Sequence, residues 1–176
     1  MPTPLGRIVV TDANVLINLI HVGRLDMCAH LPGYEFIVPD HVRREITDAT
    51  QLAALDDAAH RAVLRVEPIT DPAAISIFTQ LTQRLGRGEA ACLAIAAQNG
   101  WMVASDEKGR FLREAESRIG TAGIIGTKDL FVLAIGAGML SIEDADADKA
   151  TLAQRRFTMP FKSFREVISG SGGKVR

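Results

Sequence analysis

Four acidic residues stand at points of the chain where carboxylates could act together. Asp12 interrupts the apolar run Ile8–Ile20, Glu45 follows a short apolar stretch that ends in a proline, and Glu89 and Asp106 lie before and after a third apolar stretch. An interior carboxylate is costly unless it is hydrogen-bonded, paired or bound to a cation. Asp12 in particular must therefore either cap a local structure or take part in chemistry.

The elements that must position these acids follow from the spacing of the apolar residues. β-branched runs bounded by glycine or proline predict strands, and apolar residues three or four positions apart predict helices. The predicted strands are Arg7–Thr11, Phe36–Pro39, Arg65–Ile69, Trp101–Ser105 and Ile119–Ile125. The predicted helices are Asn14–Val22, Asp40–Asp48, Gln51–Val63, Pro72–Leu85, Gly88–Asn99, Glu107–Arg118 and Lys128–Ala137. Pro68 puts its strand at a sheet edge, and the alternation of strands and helices predicts an α/β fold with a parallel sheet.

This arrangement would bring the four acids to one edge of the sheet. In an open parallel sheet, ligands bind outside the carboxyl ends of the strands. Asp12 and Asp106 follow predicted strands, Glu45 lies in the first turns of the helix after another strand, and Glu89 could reach the same edge from a helix start. Carboxylates crowded there would raise one another's pKa, a penalty that Mg²⁺ or Mn²⁺ removes. The chemistry that such a site supports is metal-assisted phosphoryl transfer.

Each acid also has a purely structural explanation. Asp12 and Asp106 are suited to helix N-caps, and Glu89 is suited to the positive end of a helix dipole. Glu45 could pair with one of the two arginines that precede it. The metal hypothesis therefore depends on the four acids occurring together rather than on any one of them.

The totals restrict the other function classes. A chain of 176 residues with 47% apolar residues predicts one domain with an appended tail, and the segment from about Ser141 predicts two short helices and a loose end, Ser169–Arg176. The net charge of −1 gives no general attraction for a polyanion. Cys28 and Cys92 form no metal or redox motif, the N-terminus does not resemble a signal peptide, and the longest apolar stretch, Phe131–Leu140, is too short to cross a bilayer. We expect a cytoplasmic protein without a membrane partner.

Two further patterns carry little functional weight. The histidines His21, His30, His41 and His60 show no close pairing, which argues against a zinc site. The segment Gly86–Ala91 fits the loose dinucleotide pattern G-x-G-x-x-A, but a predicted helix rather than a strand precedes it.

The order of the acidic motifs resembles that of the PIN-domain ribonucleases, which include the toxins of VapC-type toxin–antitoxin pairs. The combination of Gly86-Arg-Gly88-Glu89, Asp106-Glu-Lys-Gly-Arg110 and Gly123-Ile-Ile-Gly126-Thr looks like a less characterised subgroup of them. The four matching segments are Val10-Thr-Asp12-Ala-Asn14, Val38-Pro39-x-x-Val42-x-x-Glu45, Gly86-Arg-Gly88-Glu89-Ala90 and Ala104-Ser105-Asp106. Glu89 stands where many members have aspartate, and Glu107 adds an acid beside Asp106. The resemblance covers roughly residues 7–140. We therefore expect a PIN-like nuclease domain over residues 1–140 and a C-terminal helical extension with a flexible tail over residues 141–176.

The resemblance implies a three-layer α/β/α fold around a parallel sheet of about four or five strands, often in a homodimer. It implies Mg²⁺- or Mn²⁺-dependent cleavage of RNA that leaves a 5′-phosphate, with a protein antitoxin as partner if the chain is a toxin. Asp12, Glu89 and Asp106 would bind the metal, and Glu45 would complete the catalytic set or orient the attacking water. Asn14 and Ser105 would hold the carboxylates in place, as metal sites generally require.

Basic residues bracket the third and fourth acids, and these are Arg84, Arg87, Lys108, Arg110 and Arg113. Pairing with nearby glutamates is the structural explanation. The functional one is a set of phosphate contacts that hold RNA, with Arg110 first and Arg87 and Lys108 beside it.

Three function hypotheses follow, and a metal-dependent endoribonuclease leads. The second is a non-catalytic PIN-fold module that binds RNA or a protein. The third is a receiver-like or phosphatase-like protein that uses Asp12. It ranks low because position 14 is Asn14 where that chemistry wants a second acid, and Lys108 lies past the strand.

Overall fold

Five parallel strands in the order β3-β2-β1-β4-β5 form the centre of the fold in the computed structural model, which describes residues 6–171. The strands are β1 Arg7–Thr11, β2 Tyr34–Pro39, β3 Arg65–Glu67, β4 Met102–Ala104 and β5 Ile124–Ile125. The helices are α1 Ala13–His21, α2 Met27–His30, α3 Asp40–Glu45, α4 Ala49–His60, α5 Pro72–Leu81, α6 Arg87–Asn99, α7 Gly109–Ile119, α8 Thr127–Gly136, α9 Ile142–Gln154 and α10 Phe164–Ser171. The sheet lies between helices, which confirms the predicted three-layer α/β/α fold.

Strand β1 lies in the middle of the sheet, between β2 and β4. Val10 is paired with Ile37 of β2 and Val103 of β4, and its side chain is completely buried. A short β-branched run is typical of such a strand because both of its faces are covered. The strand order diverges here, with β2 and β3 on one side and β4 and β5 on the other. The end of β1 is therefore the switch point at which open α/β sheets bind ligands.

Helix α6 packs across the centre of the sheet, against β1, β2 and β4. Its segment from Ala90 to Ala96 is almost fully buried and consists mainly of alanines, with Cys92, Leu93 and Ile95. The short side chains let the helix lie close to the strands. The packing holds the N-terminus of α6, which carries Gly88 and Glu89, beside the end of β1.

Several predicted boundaries were wrong. The strand predicted at Ile119–Ile125 is reduced to two residues because Gly120, with φ +74°, ends α7 and a 3₁₀ turn over Thr121–Gly123 follows. Helix α3 ends at Glu45 rather than at the predicted Asp48, so Glu45 lies in the second turn, as expected, but is the last residue of the helix. Helix α7 begins at Gly109 and leaves Asp106 to Lys108 in the loop after β4. The predicted edge position of the third strand is confirmed.

Three helix lengths also differ from the prediction. The short helix α2 was missed, α5 ends four residues earlier than predicted, at Leu81, and α9 spans 13 residues rather than being short. The predicted loose end is helical up to Ser171 in α10, and residues 172–176 lie outside the described part of the chain.

The two C-terminal helices pack onto the rest of the fold. Helix α9 contacts α1 and α8, and α10 contacts α8 and α9. The rings of Phe131 in α8 and Phe164 in α10 meet edge to face, with 5.7 Å between their centroids. A domain boundary at residue 140 remains a proposal, and this packing describes how the extension would be held. No helix within residues 6–171 is long and apolar enough to cross a membrane.

The link from α9 to α10 begins with a sharp turn of the backbone. Arg156 has φ +67°, and the next residue, Phe157, donates its N–H to the carbonyl oxygen of Leu152 at 3.0 Å. This is the hydrogen bond of a Schellman motif, in which the residue after the helix cap takes a left-handed conformation. The turn directs the following segment back toward the carboxyl ends of β4 and β5.

Candidate active site

Asp12 directly follows β1, and it is only 3% exposed. Its Oδ1 accepts a hydrogen bond from the Ala13 N–H at 2.8 Å, and its Oδ2 accepts one from the Ser105 hydroxyl at 3.1 Å. Burial, joined by the charges of Glu89 and Glu107, raises the pKa of Asp12 to about 6 in spite of these bonds. Asp12 therefore does cap α1, as the structural explanation expected, but the cap does not compensate its burial.

The carboxylates of Glu45, from α3, and Glu89, from α6 itself, both accept hydrogen bonds from backbone N–H groups at the start of α6. Glu45 Oε1 accepts a hydrogen bond from the Gly88 N–H at 2.7 Å, and a Cβ atom at position 88 would overlap Glu45 Oε2. Glu89 Oε2 accepts one from the Gly86 N–H at 3.1 Å. Only glycine at position 88 lets Glu45 come this close to the helix. The C-terminus of α3 is thereby joined to the start of α6.

Mutual repulsion links these acids to one another. Burial, followed by the charges of Glu107 and Glu45, raises the pKa of Glu89. Cys92, fully buried one turn further along α6, has its thiol pKa raised by burial and then by the charges of Asp12, Glu45 and Glu89. We call Asp12, Glu45, Glu89 and Glu107 the acidic cluster.

Glu107, rather than Asp106, shares this electrostatic environment. Side chains near the end of β4 alternate, so Ser105 reaches Asp12 while the Asp106 carboxylate lies against Thr127 at the start of α8. Glu107 Oε1 accepts a hydrogen bond from Asn14 Nδ2 at 3.0 Å, and its charge raises the pKa values of Asp12 and Glu89. The sequence prediction noted Glu107 only as an extra acid, although a period of two would have put positions 105 and 107 on one side.

The Asp106 carboxylate is surrounded by hydrogen-bond donors. Its Oδ1 accepts from the Thr127 N–H at 2.8 Å, and its Oδ2 accepts from the Thr127 hydroxyl at 2.5 Å and from Asn18 Nδ2 at 3.1 Å. Burial raises the pKa of Asp106, and these bonds act against that rise. The predicted role of Asp106 as a metal ligand stays a prediction, and the contacts describe an acid that joins β4 to α8.

Asn14 and Ser105 each donate a hydrogen bond to a carboxylate of the acidic cluster. Asn14 donates to Glu107, and its Oδ1 accepts a hydrogen bond from the Asp106 N–H at 3.2 Å. Ser105 Oγ donates to Asp12 and accepts from the Glu107 N–H at 3.1 Å. These two residues connect Asp12 to the loop that carries Glu107.

No Lys or Arg within residues 6–171 forms an ion pair with the acidic cluster. The pairing of Glu45 with a neighbouring arginine is not formed, because Arg43 pairs with Asp56 at 2.7 Å and Arg44 with Asp40 at 2.8 Å. The cluster is thus a concentration of negative charge with hydrogen bonds but no counter-charge from the described chain.

A divalent cation is the group that such a donor set could hold. In the described part of the chain, no three His, Cys, Asp or Glu side chains form a group that could hold a metal ion as they stand. Mg²⁺, however, usually binds through one or two carboxylates and completes its shell with water and substrate phosphates. The donors here are all carboxylate oxygens, the type preferred by Mg²⁺ and Mn²⁺. Their chemistry fits such an ion, with the remaining ligands supplied from outside the protein.

The predicted RNA contacts are all exposed. Arg110 donates from Nη1 to the carbonyl oxygen of Arg84 at 3.1 Å, and the guanidinium of Arg87 lies 5.9 Å from the centroid of the Phe78 ring. Lys108 follows Glu107 in the same loop. Arg84 itself is paired with Glu114 at 3.1 Å, as the structural explanation expected.

The five-stranded parallel sheet between helices, with carboxylates beyond the end of its central strand, defines an α/β protein with an acidic candidate site. A family model described as a PIN domain, DUF3368, matches residues 8–168, and the chain belongs to this family. The resemblance predicted from the four motifs is thereby confirmed. PIN domains are generally nucleases, and the match extends through α9 into α10. The comparison with curated proteins gives no match.

Proposed function

We propose that this protein is a Mg²⁺- or Mn²⁺-dependent endoribonuclease that acts on RNA in the cytoplasm. The observation that carries the proposal is the acidic cluster, four carboxylates without a counter-charge at the switch point of a PIN-domain sheet. Asp12, Glu89 and Glu107 would hold the cation, and Asp106 is the alternative third ligand. When bound, the cation supplies acidity to a water molecule and positive charge opposite the phosphate oxygens.

The residues of the chain have distinct tasks in this proposal. Glu45 Oε1 is held by the Gly88 N–H, and its carboxylate would accept the proton of the attacking water. Ser105 and Asn14 orient Asp12 and Glu107 through the hydrogen bonds described above. Arg87, Lys108 and Arg110 would contact the RNA backbone, which makes binding sensitive to salt and largely independent of sequence.

A cleavage assay with a matched pair of variants tests the proposal. Purified protein is incubated with labelled single-stranded and structured RNAs in Mg²⁺, Mn²⁺ or EDTA, beside Asp12→Asn and Asp71→Asn. Both aspartates cap helices through their side chains, but only Asp12 lies in the acidic cluster. We expect metal-dependent cleavage to 5′-phosphate products, lost in Asp12→Asn and kept in Asp71→Asn. Equal activity of the two variants would contradict the proposal.

A non-catalytic PIN-fold module that binds RNA or a protein is the second candidate. It is favoured by the absence, within residues 6–171, of a ready-made group of metal ligands. Under this candidate, no RNA is cleaved with any metal, and Asp12→Asn leaves RNA binding intact.

We further propose that the protein is a toxin, that a protein antitoxin inhibits it, and that it forms a homodimer. These proposals are tested by growth arrest on expression, by rescue with the protein encoded next door, and by light scattering of the purified chain. Expression of the chain without growth arrest would contradict the toxin role.

A further inference from the structure

A cleft of about 370 Å³ opens beside the acidic cluster. One wall is formed by the loop after β4 and by the start of α8, and the other by the link between α9 and α10. Its lining includes the apolar side chains of Phe157, Met159 and Phe161 and the exposed cations of Lys108 and Lys128. The volume lies within the range of about 300–1,000 Å³ that small-molecule ligands occupy in proteins.

The cleft and the acidic cluster share Glu107. Ser105 and Glu107 line the cleft, and Ser105 also donates its hydroxyl to Asp12. A chain molecule whose phosphate lies at the acidic cluster would therefore place its neighbouring unit at the mouth of the cleft. This continuity links the cleft to the reaction site rather than to a separate function.

The charges around the cleft favour a neutral group inside it. Two lysines, Lys108 and Lys128, face three carboxylates, those of Asp106, Glu107 and Asp129. A phosphate inside the cleft would meet more negative than positive charge, whereas at the exposed rim it could contact the lysines. An uncharged, flat and partly apolar group fits the interior, and a nucleobase is such a group.

Phe157 offers the ring on which a base could stack. The ring of Phe161 is engaged by Phe164 at 4.9 Å between centroids and by Lys149 Nζ at 5.4 Å. Phe157 is half-buried, and within residues 6–171 it has no aromatic partner. Its backbone N–H is fixed to Leu152, which holds its position after the turn at Arg156.

We propose that this cleft binds a base of single-stranded RNA next to the nucleotide whose phosphate is attacked, with Phe157 as the stacking surface. The inference rests on the proposed function, which supplies RNA as the substrate. It changes one expectation from composition: the single Tyr and Trp predicted little base stacking, and both lie at the opposite edge of the sheet, at or just before the starts of β2 and β4. The stacking side chain near the acidic cluster is a phenylalanine from the C-terminal segment.

Binding of an eight-nucleotide single-stranded RNA in Ca²⁺, which offsets the charge of the acidic cluster, tests the inference, and electrophoresis of the recovered RNA checks that it has stayed intact. Fluorescence anisotropy at low salt compares the intact RNA with eight versions, each lacking the base at one position. We expect one or two neighbouring positions to carry most of the loss of affinity, which needs no variant protein. An equal loss at every position, or none, would overturn the inference.

Variants of Phe157 assign the base to this cleft. Phe157→Ala should weaken binding of the intact RNA by roughly 5- to 150-fold, the range for loss of one aromatic stacking partner. The penalty should vanish with the RNA that lacks the critical base, and Phe157→Trp should retain affinity. Tyr34→Ala, which removes another half-buried ring at the far edge of the sheet, is the control and should bind normally. Equal weakening of intact and base-lacking RNA by Phe157→Ala would overturn the assignment.

The two proposals fail in different ways. RNA cleavage that continues in Phe157→Ala with unchanged KM and unchanged cleavage positions would remove the base cleft and leave the nuclease. Base-dependent binding at Phe157 by a protein that cleaves no RNA with any metal would remove the nuclease and leave the cleft.

Discussion

Asp106 and Glu107 are neighbours in sequence, but their carboxylates occupy opposite kinds of environment. Asp106 accepts three hydrogen bonds from Thr127 and Asn18 at the start of α8. Glu107 accepts one from Asn14, is exposed, and adds its charge to a cluster of other acids. A carboxylate that accepts three hydrogen bonds is held firmly in place, and one that accepts a single bond keeps more of its acceptor capacity for a cation or a proton. The number of hydrogen bonds that each carboxylate accepts therefore distinguishes the two acids better than their positions in the sequence motif do.

Two glycines repeat this contrast. A Cβ atom at Gly88 would overlap Glu45, and one at Gly126 would lie 2.7 Å from Asp106 Oδ1. Both acids thus lie against the glycine-containing start of a helix. Glu45 lies near other acids there, whereas Asp106 lies near hydrogen-bond donors. A glycine at a helix start thus brings an acid into the acidic cluster in the first case and connects β4 to α8 in the second.

The largest expected effect is on RNA cleavage, where substitutions of Glu107 and Asp106 should differ. Glu107→Gln should lower kcat/KM for RNA cleavage by about 100-fold or more, because it removes one of the charges proposed to hold the cation opposite the phosphate. Asp106→Asn should lower kcat/KM less, in proportion to its loss of stability. Parallel cleavage assays at one Mg²⁺ or Mn²⁺ concentration measure both. The reverse ranking would return the role of metal ligand to Asp106.

The second expected effect is a pH dependence of stability in the absence of metal. The pKa of Asp12 is raised, so the folded state binds a proton on this carboxyl group more tightly than the unfolded state does. The free energy of unfolding is therefore highest at low pH and falls as the pH rises from about 4 through about 6. Two pKa units correspond to about 3 kcal/mol. In EDTA, Asp12→Asn should therefore unfold at higher urea concentration than the unmodified chain at pH 7.5 and at a similar concentration at pH 4.

Asp71→Asn is the control for this pH experiment. It removes one charge from an exposed helix cap rather than from a buried one, and it should not reproduce the gain at pH 7.5. A urea midpoint of Asp12→Asn that stays parallel to that of the unmodified chain at every pH would show that Asp12 ionises without cost.

The third effect is the structural cost of Asp106→Asn. In Asp106 both carboxylate oxygens accept from N–H donors, of Thr127 and Asn18, so the amide of asparagine would turn its own N–H toward one of them. Leaving one such buried donor unsatisfied costs about 1–3 kcal/mol, which in a chain of this size lowers the melting temperature by roughly 2–10 °C. In Asp12→Asn the amide N–H can face the Ser105 hydroxyl, which is able to accept it. Glu107→Gln, on an exposed side chain, should leave the melting temperature unchanged or raise it by relieving repulsion. Thermal scans in EDTA would contradict this contrast if both variants lost equal stability.

The fold and most of the acids' placement follow from the sequence for identifiable reasons. The β-branched run of β1 needs burial on both faces, and Pro68 excludes its strand from the sheet centre. Acids that directly follow strands, or begin the helix packed on them, then have to meet at one edge. The sequence therefore predicts that Asp12, Glu45, Glu89 and Asp106 lie at one edge, and the charges of Asp12, Glu45 and Glu89 do act on one another or on Cys92 in the structure.

The remaining details depend on tertiary contacts that no local pattern contains. The direction of a side chain beyond a strand end is set by the loop and its contacts, and the Asp106 carboxylate is held by Thr127, 21 residues later in the chain. Glu45 is placed by Gly88, 43 residues later in the chain. The short β5 and the turn at Gly120 likewise reflect a backbone conformation that an apolar run from Ile119 to Ile125 does not reveal.

The smallest expected effect is the stabilisation of the protein by a bound metal ion, which compares Asp106 and Glu107 without any RNA. Mg²⁺ or Mn²⁺ at ten times its dissociation constant should stabilise the protein by about 1.4 kcal/mol, or roughly 3–6 °C in melting temperature. The shift should disappear in Asp12→Asn and Glu107→Gln and persist in Asp106→Asn, because only the first two remove donors from the acidic cluster. Persistence in Glu107→Gln with loss in Asp106→Asn would exchange the roles of the neighbours. A shift unchanged in all three variants would put the cation elsewhere, and this result would be independent of whether the correct RNA had been found.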